Sequence, residues 1–256
     1  MPNKAFGTAL ILLVPILFGC QSHEPSHLDA PQLHDSVSAP DRSDVKQAKP
    51  LPTVSLTERS MLLAGLVDVK LYHPNIQVNL RYATTDNFLK QNIYGTINSA
   101  YMTKPCAQKL GHAQQILDSV HPGLNLLVWD AARPVRCQQL MWDAVDFPIE
   151  ERVKYVSNPA NRSLHNFGCA VDLTLTDSNG QQLDMGTGFD DFDTLAQPVY
   201  ESRCLLSGAL NEEQLTNRKI LRSTMQKAGF RQLPSEWWHY NCCSREYASE
   251  HFSVVE

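Results

Sequence analysis

The chain has 256 residues, with 22 Lys and Arg against 27 Asp and Glu, a formal net charge of −5 and 43% hydrophobic residues. This is the composition of one or two globular domains, and with no basic run it argues against a nucleic-acid partner. A small or locally cationic ligand suits the balance better.

The first twenty residues, "MPNKAFGTALILLVPILFGC", carry one charge, Lys4, ahead of an apolar core broken only by Pro15. They read as a secretory signal, too short and too thinly flanked for a membrane span. The segment ends Leu17-Phe18-Gly19-Cys20, which resembles a bacterial lipobox and makes Cys20 the expected lipidation site. Gln21 rather than Asp follows it, which by resemblance to Gram-negative lipoproteins places the anchor in the outer membrane. Residues 21–55 contain five prolines and no hydrophobic period, so a disordered tether is expected there. Its His23, His27 and His34 read as solvated linker residues.

From residue 56 onward the chain is long enough for one well-buried domain. Alternation in "NIQVNLRYA" (75–83) predicts a strand. Ala107, Leu110, Ala113, Leu117 and Val120 form one stripe of a helix over 104–120. "LNLLVWD" (124–130) is a buried strand, and Cys137, Leu140, Met141, Ala144 and Val145 predict a helix after Arg133-Pro134. "AVDLTL" (170–175) is a strand leading into the turn "TDSNG". A further helix spans 211–228, with Asn211 as N-cap, Glu212 and Glu213 in its first turn and Gly229 past its end. "WWHY" after Pro234 has strand composition. Helices and strands are interspersed without regular alternation, which gives an α+β fold.

Six cysteines follow the tether: Cys106, Cys137, Cys169, Cys204, Cys242 and Cys243. An even count in an exported chain suggests disulfides, and sequence cannot choose the pairing. Adjacent Cys242 and Cys243 are expected to take different partners.

Among the histidines, His73, His112, His121 and His251 sit in loops, on a polar helix face or near the C-terminus, and read as structural or solvated. His165 and His239 have informative neighbours. A turn through Asn166-Phe167-Gly168 would fold His165 back toward Asp172 on the following strand, Gly168 supplying the conformational freedom. With His239 from a later strand these make three ligands and an open fourth position, the layout of a catalytic zinc site. Cys169, between two of the proposed ligands, is an alternative thiolate donor. Glu236 can share a site with His239 only if Pro234-Ser235-Glu236 forms a turn or bulge that re-aims the carboxylate. Trp237 and Trp238 would then point to opposite sides, one to the pocket and one to the core.

Several blocks in order, "RYATTDNF" (81–88), "VWDAARP" (128–134), Ser163-x-His165-x-x-Gly168-x-Ala170-x-Asp172, "MGTGFD" (185–190) and Glu236-Trp237-Trp238-His239, resemble the zinc D-alanyl-D-alanine dipeptidases of the VanX type, relatives of the zinc D,D-carboxypeptidases. The resemblance runs from about residue 68 to 247. It implies a small antiparallel sheet flanked by helices, the hedgehog/D,D-peptidase-like fold, and one Zn2+ per chain bound by His165, Asp172 and His239. It further implies Glu236 as general base and Arg133 as oxyanion stabiliser. Asp190 and Ser163 would hold the substrate's free ends, with Asp190 on the ammonium. The departure is Ala131-Ala132, where relatives often carry Gly and an aromatic. The expected activity is hydrolysis of the D-alanyl-D-alanine dipeptide in the cell envelope. A D,D-carboxypeptidase or endopeptidase on peptidoglycan stems is the alternative, and a non-catalytic zinc-binding lipoprotein a further one. Segments 84–104 and 185–208 are expected to cap the site, which favours the dipeptidase.

Overall fold

In the computed structural model, which describes residues 54–153 and 155–256, regular structure begins at α1 (Leu56–Leu63). Ser55 and Glu58 form a reciprocal capping box there, each side chain accepting from the other's backbone N–H. The expected signal segment, its Cys20 and the tether up to residue 53 lie outside the described residues. Among the described residues no helix is long and apolar enough to cross a membrane.

The helices follow their apolar periods. α2 (Lys104–Val120) buries Cys106, Ala107, Leu110, Ala113 and Leu117, whereas Val120, in the last turn, is exposed. α3 (Val135–Ala144) buries Cys137 and Met141 but leaves Leu140 exposed, and Val145 is buried just beyond its end. Short α4 (Ile149–Arg152) and α5 (Glu201–Leu206) precede α6 (Glu212–Lys227), whose N-terminus is closed by an Asn211–Gln214 capping box. α2 and α6 pack against each other, and α7 (Arg245–His251) ends the helical layer.

Two sheets form. β1 (Leu66–Asp68) pairs antiparallel with β3 (Tyr101–Thr103). The larger sheet contains β2 (Gln77–Val78), β4 (Asn125–Asp130), β5 (Ala170–Thr176), β7 (His239–Asn241) and β6 (Arg231–Gln232), in the order β2-β4-β5-β7-β6. It is antiparallel except for the parallel edge pair β2–β4. Central β5 is buried along its whole length.

The strand expected over 75–83 is cut to Gln77–Val78. After Asn79 N–H donates to the Val128 carbonyl (2.9 Å), the chain leaves the sheet edge for a 3-10 turn at Arg81–Ala83. Alternation is a local signal and does not say how many residues find a partner strand. Leu80 and Tyr82 are buried as alternation requires, though not by strand pairing.

One irregularity matters for the site. Along β4 and β5 the partners run Leu127↔Thr174 and Val128↔Leu173, then skip to Asp130↔Asp172. Trp129 is therefore the extra residue of a β-bulge, which brings Asp130 onto the face that Asp172 occupies.

A disulfide joins Cys106 on α2 to Cys242, just past β7, while Cys137, Cys169, Cys204 and Cys243 are thiols. Neighbouring Cys242 and Cys243 are thus in different states.

Candidate active site

β5 and β7 place Asp172 directly opposite His239. His165 reaches the same point from a 3-10 turn, Leu164–Phe167, that ends on Gly168 at φ 65°, in the left-handed region. A Cβ on Gly168 would lie 2.8 Å from Leu66 Cδ2, so both its conformation and its close packing suit glycine. Ser163 caps this turn: its Oγ accepts from His165 N–H (3.3 Å) while its own N–H donates to Asn166 Oδ1 (2.8 Å). Asn166 Nδ2 donates in turn to the Arg133 carbonyl (2.8 Å), and Arg133 N–H to the His165 carbonyl (2.9 Å). The loop after β4 and the histidine turn are thereby locked together.

The three side chains converge. One ligand atom from each of His165, Asp172 and His239 lies within 4.8 Å of the others, and all three residues are buried. His239 Nδ1 is 2.9 Å from Asp172 Oδ1, and His165 Nε2 is 3.4 Å from Asp172 Oδ2. The far nitrogen of each ring is already used. His165 Nδ1 faces the Ala131 carbonyl at 2.7 Å and must donate to it, and His239 Nε2 faces Asn241 Oδ1 at 2.8 Å. Those bonds commit the outer nitrogen of each ring as a donor, so that His165 Nε2 and His239 Nδ1 are the nitrogens that face Asp172 and, once free of a proton, offer their lone pairs there. Two imidazole lone pairs and a carboxylate aimed at one point form a donor set that fits a divalent cation such as zinc.

Glu236 stands beside this set. β6 and β7 are joined by a hairpin loop, with a turn at Pro234-Ser235, and Glu236 lies in the loop rather than in a strand. Its Oε2 is 3.8 Å from His239 Nδ1. Burial raises its pKa, and nearby Asp172 adds to the effect against the lowering by His239. Such a carboxyl is suited to exchanging protons. The strand expected through "WWHY" starts only at His239, because the loop must first turn Glu236 inward. Trp238 lines the site pocket, whereas Trp237 lies outside it and donates from Nε1 to Thr187 Oγ1 (2.8 Å).

Arg133 is buried and held as a planar fork. Nε donates to Asp130 Oδ2 (2.9 Å), Nη2 contacts the same carboxylate, and Nη1 donates to Gln138 Oε1 (2.9 Å). Nη2 also lies 3.6 Å from Asp172 Oδ2, and the guanidinium sits 5.1 Å from the centroid of the Tyr82 ring. The Tyr82 hydroxyl donates to Asp190, with its oxygen 2.9 and 3.0 Å from the two carboxylate oxygens. Asp190 has φ 59°, unusual for a residue with a Cβ, and burial raises its pKa well above the usual carboxylate range. The loop that carries it is tied down by α6, where Arg218 Nε donates to the Met185 carbonyl (2.6 Å) and Asn217 Nδ2 to that of Asp184 (2.9 Å).

Every residue expected at the site, Ser163, His165, Asp172, Asp190, Arg133, Glu236 and His239, lines one pocket of about 140 Å3. Phe88 and Phe192, from the two segments expected to cap it, line it too and meet edge to face at 5.5 Å. Cys169 is not part of the donor set. Its sulfur lies 3.9 Å from Thr103 Oγ1 and 3.6 Å from the Phe167 carbonyl, and burial pushes the thiol up to about 12, away from the thiolate a metal needs. His73, His112 and His251 make contacts elsewhere.

Sequence reading missed Asp130, Tyr82, Tyr94 and Asn241. Asp130 is fully buried and accepts from Tyr94, from Ala131 N–H and from Arg133. An aspartate ending an otherwise apolar strand was its one visible signal.

Comparison with known proteins gives consistent matches. A family model described as D-ala-D-ala dipeptidase matches residues 63–256. The D-alanyl-D-alanine dipeptidase of Escherichia coli is 33% identical over 175 residues, covering 68% of this chain and 83% of that protein. The enzyme of the same name from Enterococcus faecalis is 31% identical over 196 residues, covering 70% and 92%. Among solved structures, the vancomycin-resistance D,D-pentapeptidase VanY in complex with Zn(II) aligns with a TM-score of 0.36 and 15% identity, over 60% of this chain and 79% of that one.

Proposed function

This chain belongs to the D-alanyl-D-alanine dipeptidase family, and on that premise we propose that it hydrolyses the D-alanyl-D-alanine dipeptide to free D-alanine, using one zinc ion held by His165, Asp172 and His239. A zinc ion there supplies a Lewis acid for the scissile carbonyl and a water of lowered pKa. Glu236, next to that position, takes the proton of the attacking water and returns it to the leaving amine. Arg133, held by Asp130 and Gln138, keeps a permanent positive charge where negative charge develops on the tetrahedral oxygen. Asp190 receives the substrate ammonium and Ser163 the opposite end.

The observation that carries this reading is the size and lining of the pocket. About 140 Å3 contains both the three-ligand set and the Asp190 carboxylate, with Phe88 and Phe192 in its wall. A short peptide with a free amino terminus satisfies Asp190, whereas a long stem peptide would present an amide there and need an open groove. The lipobox-like ending at Cys20 and the export signal support a lipid-anchored enzyme of the cell envelope, where peptidoglycan turnover releases the dipeptide.

The test is to incubate the protein with D-alanyl-D-alanine and, separately, with an N-acylated tripeptide ending in the same two residues, with and without a zinc chelator. Release of D-alanine from the free dipeptide, abolished by the chelator and restored by zinc, is expected. Cleavage of only the acylated peptide would assign the chain to the carboxypeptidases instead.

A further inference from the structure

Among the described residues, the lysine and arginine side chains that line the pocket of His165, Asp172 and His239 are Arg133 and Arg245. Arg133 is buried and already engaged by Asp130 and Gln138. Arg245 is exposed, at the rim, and opens α7. Its Nη1 donates to the Asn161 carbonyl (2.6 Å), at the end of a 3-10 turn, Pro159–Asn161, two residues before Ser163. A guanidinium carries five N–H groups in a planar fork, and this bond occupies one of them. The acceptor is a neutral backbone oxygen, so the bond positions the head of Arg245 without cancelling its charge. Asp172, Asp190 and Glu236 line the same pocket. A carboxylate entering beside them needs a positive partner, which the Ser163 hydroxyl is not.

Resting on the peptide hydrolysis proposed above, we propose that Arg245 determines specificity for the substrate's terminal carboxylate, which its guanidinium receives together with the Ser163 hydroxyl. Ser163 Oγ already accepts from His165 N–H and so has its one O–H to give, while the guanidinium fork matches both oxygens of a carboxylate. The substrate class follows from this pairing. The leaving residue must end in a free carboxylate, and amidated or further extended peptides are disfavoured. Both ends of a zwitterionic dipeptide then meet an opposite charge, the ammonium at Asp190 and the carboxylate at Arg245. The terminal carboxylate bears the same charge before and during attack on the scissile carbonyl. Arg245 therefore binds ground state and transition state alike and acts on KM rather than on kcat.

The test compares free acid with amide at the terminal residue. The zinc-loaded protein is assayed with D-alanyl-D-alanine and its C-terminal amide, and in parallel with the N-acylated tripeptide ending in the same two residues and that peptide's amide. For whichever pair is cleaved, the parent should prefer the free acid by about tenfold or more in kcat/KM. Arg245→Met should raise KM for the acid about tenfold, leave kcat within about twofold and leave the amide unchanged. Arg245→Lys, which keeps the charge, should recover part of the loss. If only the tripeptide is cleaved, the dipeptidase reading fails while this comparison stands, because the tripeptide ends in the same carboxylate. Calorimetric titration of Glu236→Gln with the dipeptide repeats the comparison without turnover, and adding Arg245→Met should weaken binding about tenfold. The proposal is overturned if Arg245→Met, folded by circular dichroism, keeps the parent's ratio of acid to amide. It is equally overturned if acid and amide lose activity in the same proportion, which would make Arg245 a strut for the Asn161 turn.

Discussion

His165 Nε2 and His239 Nδ1 face each other across 3.2 Å, although each ring has already committed its opposite nitrogen as a donor. Two lone pairs and the Asp172 carboxylate at this separation repel unless a cation or a proton lies among them. The fold supplies this frustration through a backbone carbonyl on one side and an asparagine on the other.

Without metal, a proton fills that role. Burial alone would lower the pKa of His239, but the bond to Asp172 raises it from 6.5 to about 9. Zinc uptake near pH 7 should therefore release about one proton, and apparent affinity should fall roughly tenfold per pH unit below about 9. Calorimetric titration in two buffers of different ionisation heat counts the proton, and a buffer-independent heat would contradict the assignment. The same shift fixes the sign for chelated protein. Because the folded pKa is the higher one, its stabilisation is complete below pH 6.5 and is lost as pH rises through about 9. The Tm of the chelated protein should fall across that window.

Glu236→Gln keeps the shape of the loop and removes the carboxylate proposed as proton acceptor. A drop in kcat of about 10²–10⁴ is expected. Zinc affinity should stay within about threefold, because Glu236 approaches the donor set without belonging to it. A chelator competition alongside steady-state kinetics separates the two effects, and a large loss of zinc would make Glu236 a ligand.

Asn241 acts through His239. Replacing it with leucine leaves Nε2–H without its acceptor and frees the ring to change tautomer, so zinc affinity should fall about 10–100-fold. Asn241→Asp retains an acceptor and should hold zinc at least as well as the parent. Equal losses in both variants would point to packing rather than to the hydrogen bond.

Arg133→Lys preserves charge but not the fork. A lysine cannot reach Asp130 and Gln138 together, as Arg133 does through Nε, Nη2 and Nη1. We expect kcat to fall about 10²–10³ and unfolding free energy to drop by about 1–3 kcal/mol as Asp130 loses bonds in a buried site. Denaturant titration and kinetics on the same preparation test both.

What the sequence could reveal divides along physical lines. His165, Gly168 and Asp172 were legible because one short turn and one strand bring them together, so local geometry sufficed. The helices were legible from their apolar period, and Val120 and Leu140 show its limit: a stripe says which face is buried but not where a terminal turn leaves the core. Asn241 was hidden because its role depends on which nitrogen of His239 faces the cluster. The Ala131 carbonyl was hidden because backbone acceptors carry no residue signature. Tyr82 looked like a strand position in an alternating run, and only the loss of the sheet partner after Val78 turns its hydroxyl to Asp190.

The bulge at Trp129 divides β4 into two reading frames. Were the pairing of Leu127 with Thr174 and Val128 with Leu173 to run on unbroken, Trp129 would take the place opposite Asp172. Asp130 would then fall opposite Val171, with its carboxylate on the other face of the sheet. The Ala131 carbonyl and Arg133, which follow along the chain, would be displaced with it. The first frame serves the core and the second serves the cluster of His165, Asp172 and His239, and one misfit residue keeps them out of phase. A change that made this stretch a better strand would make it a worse scaffold.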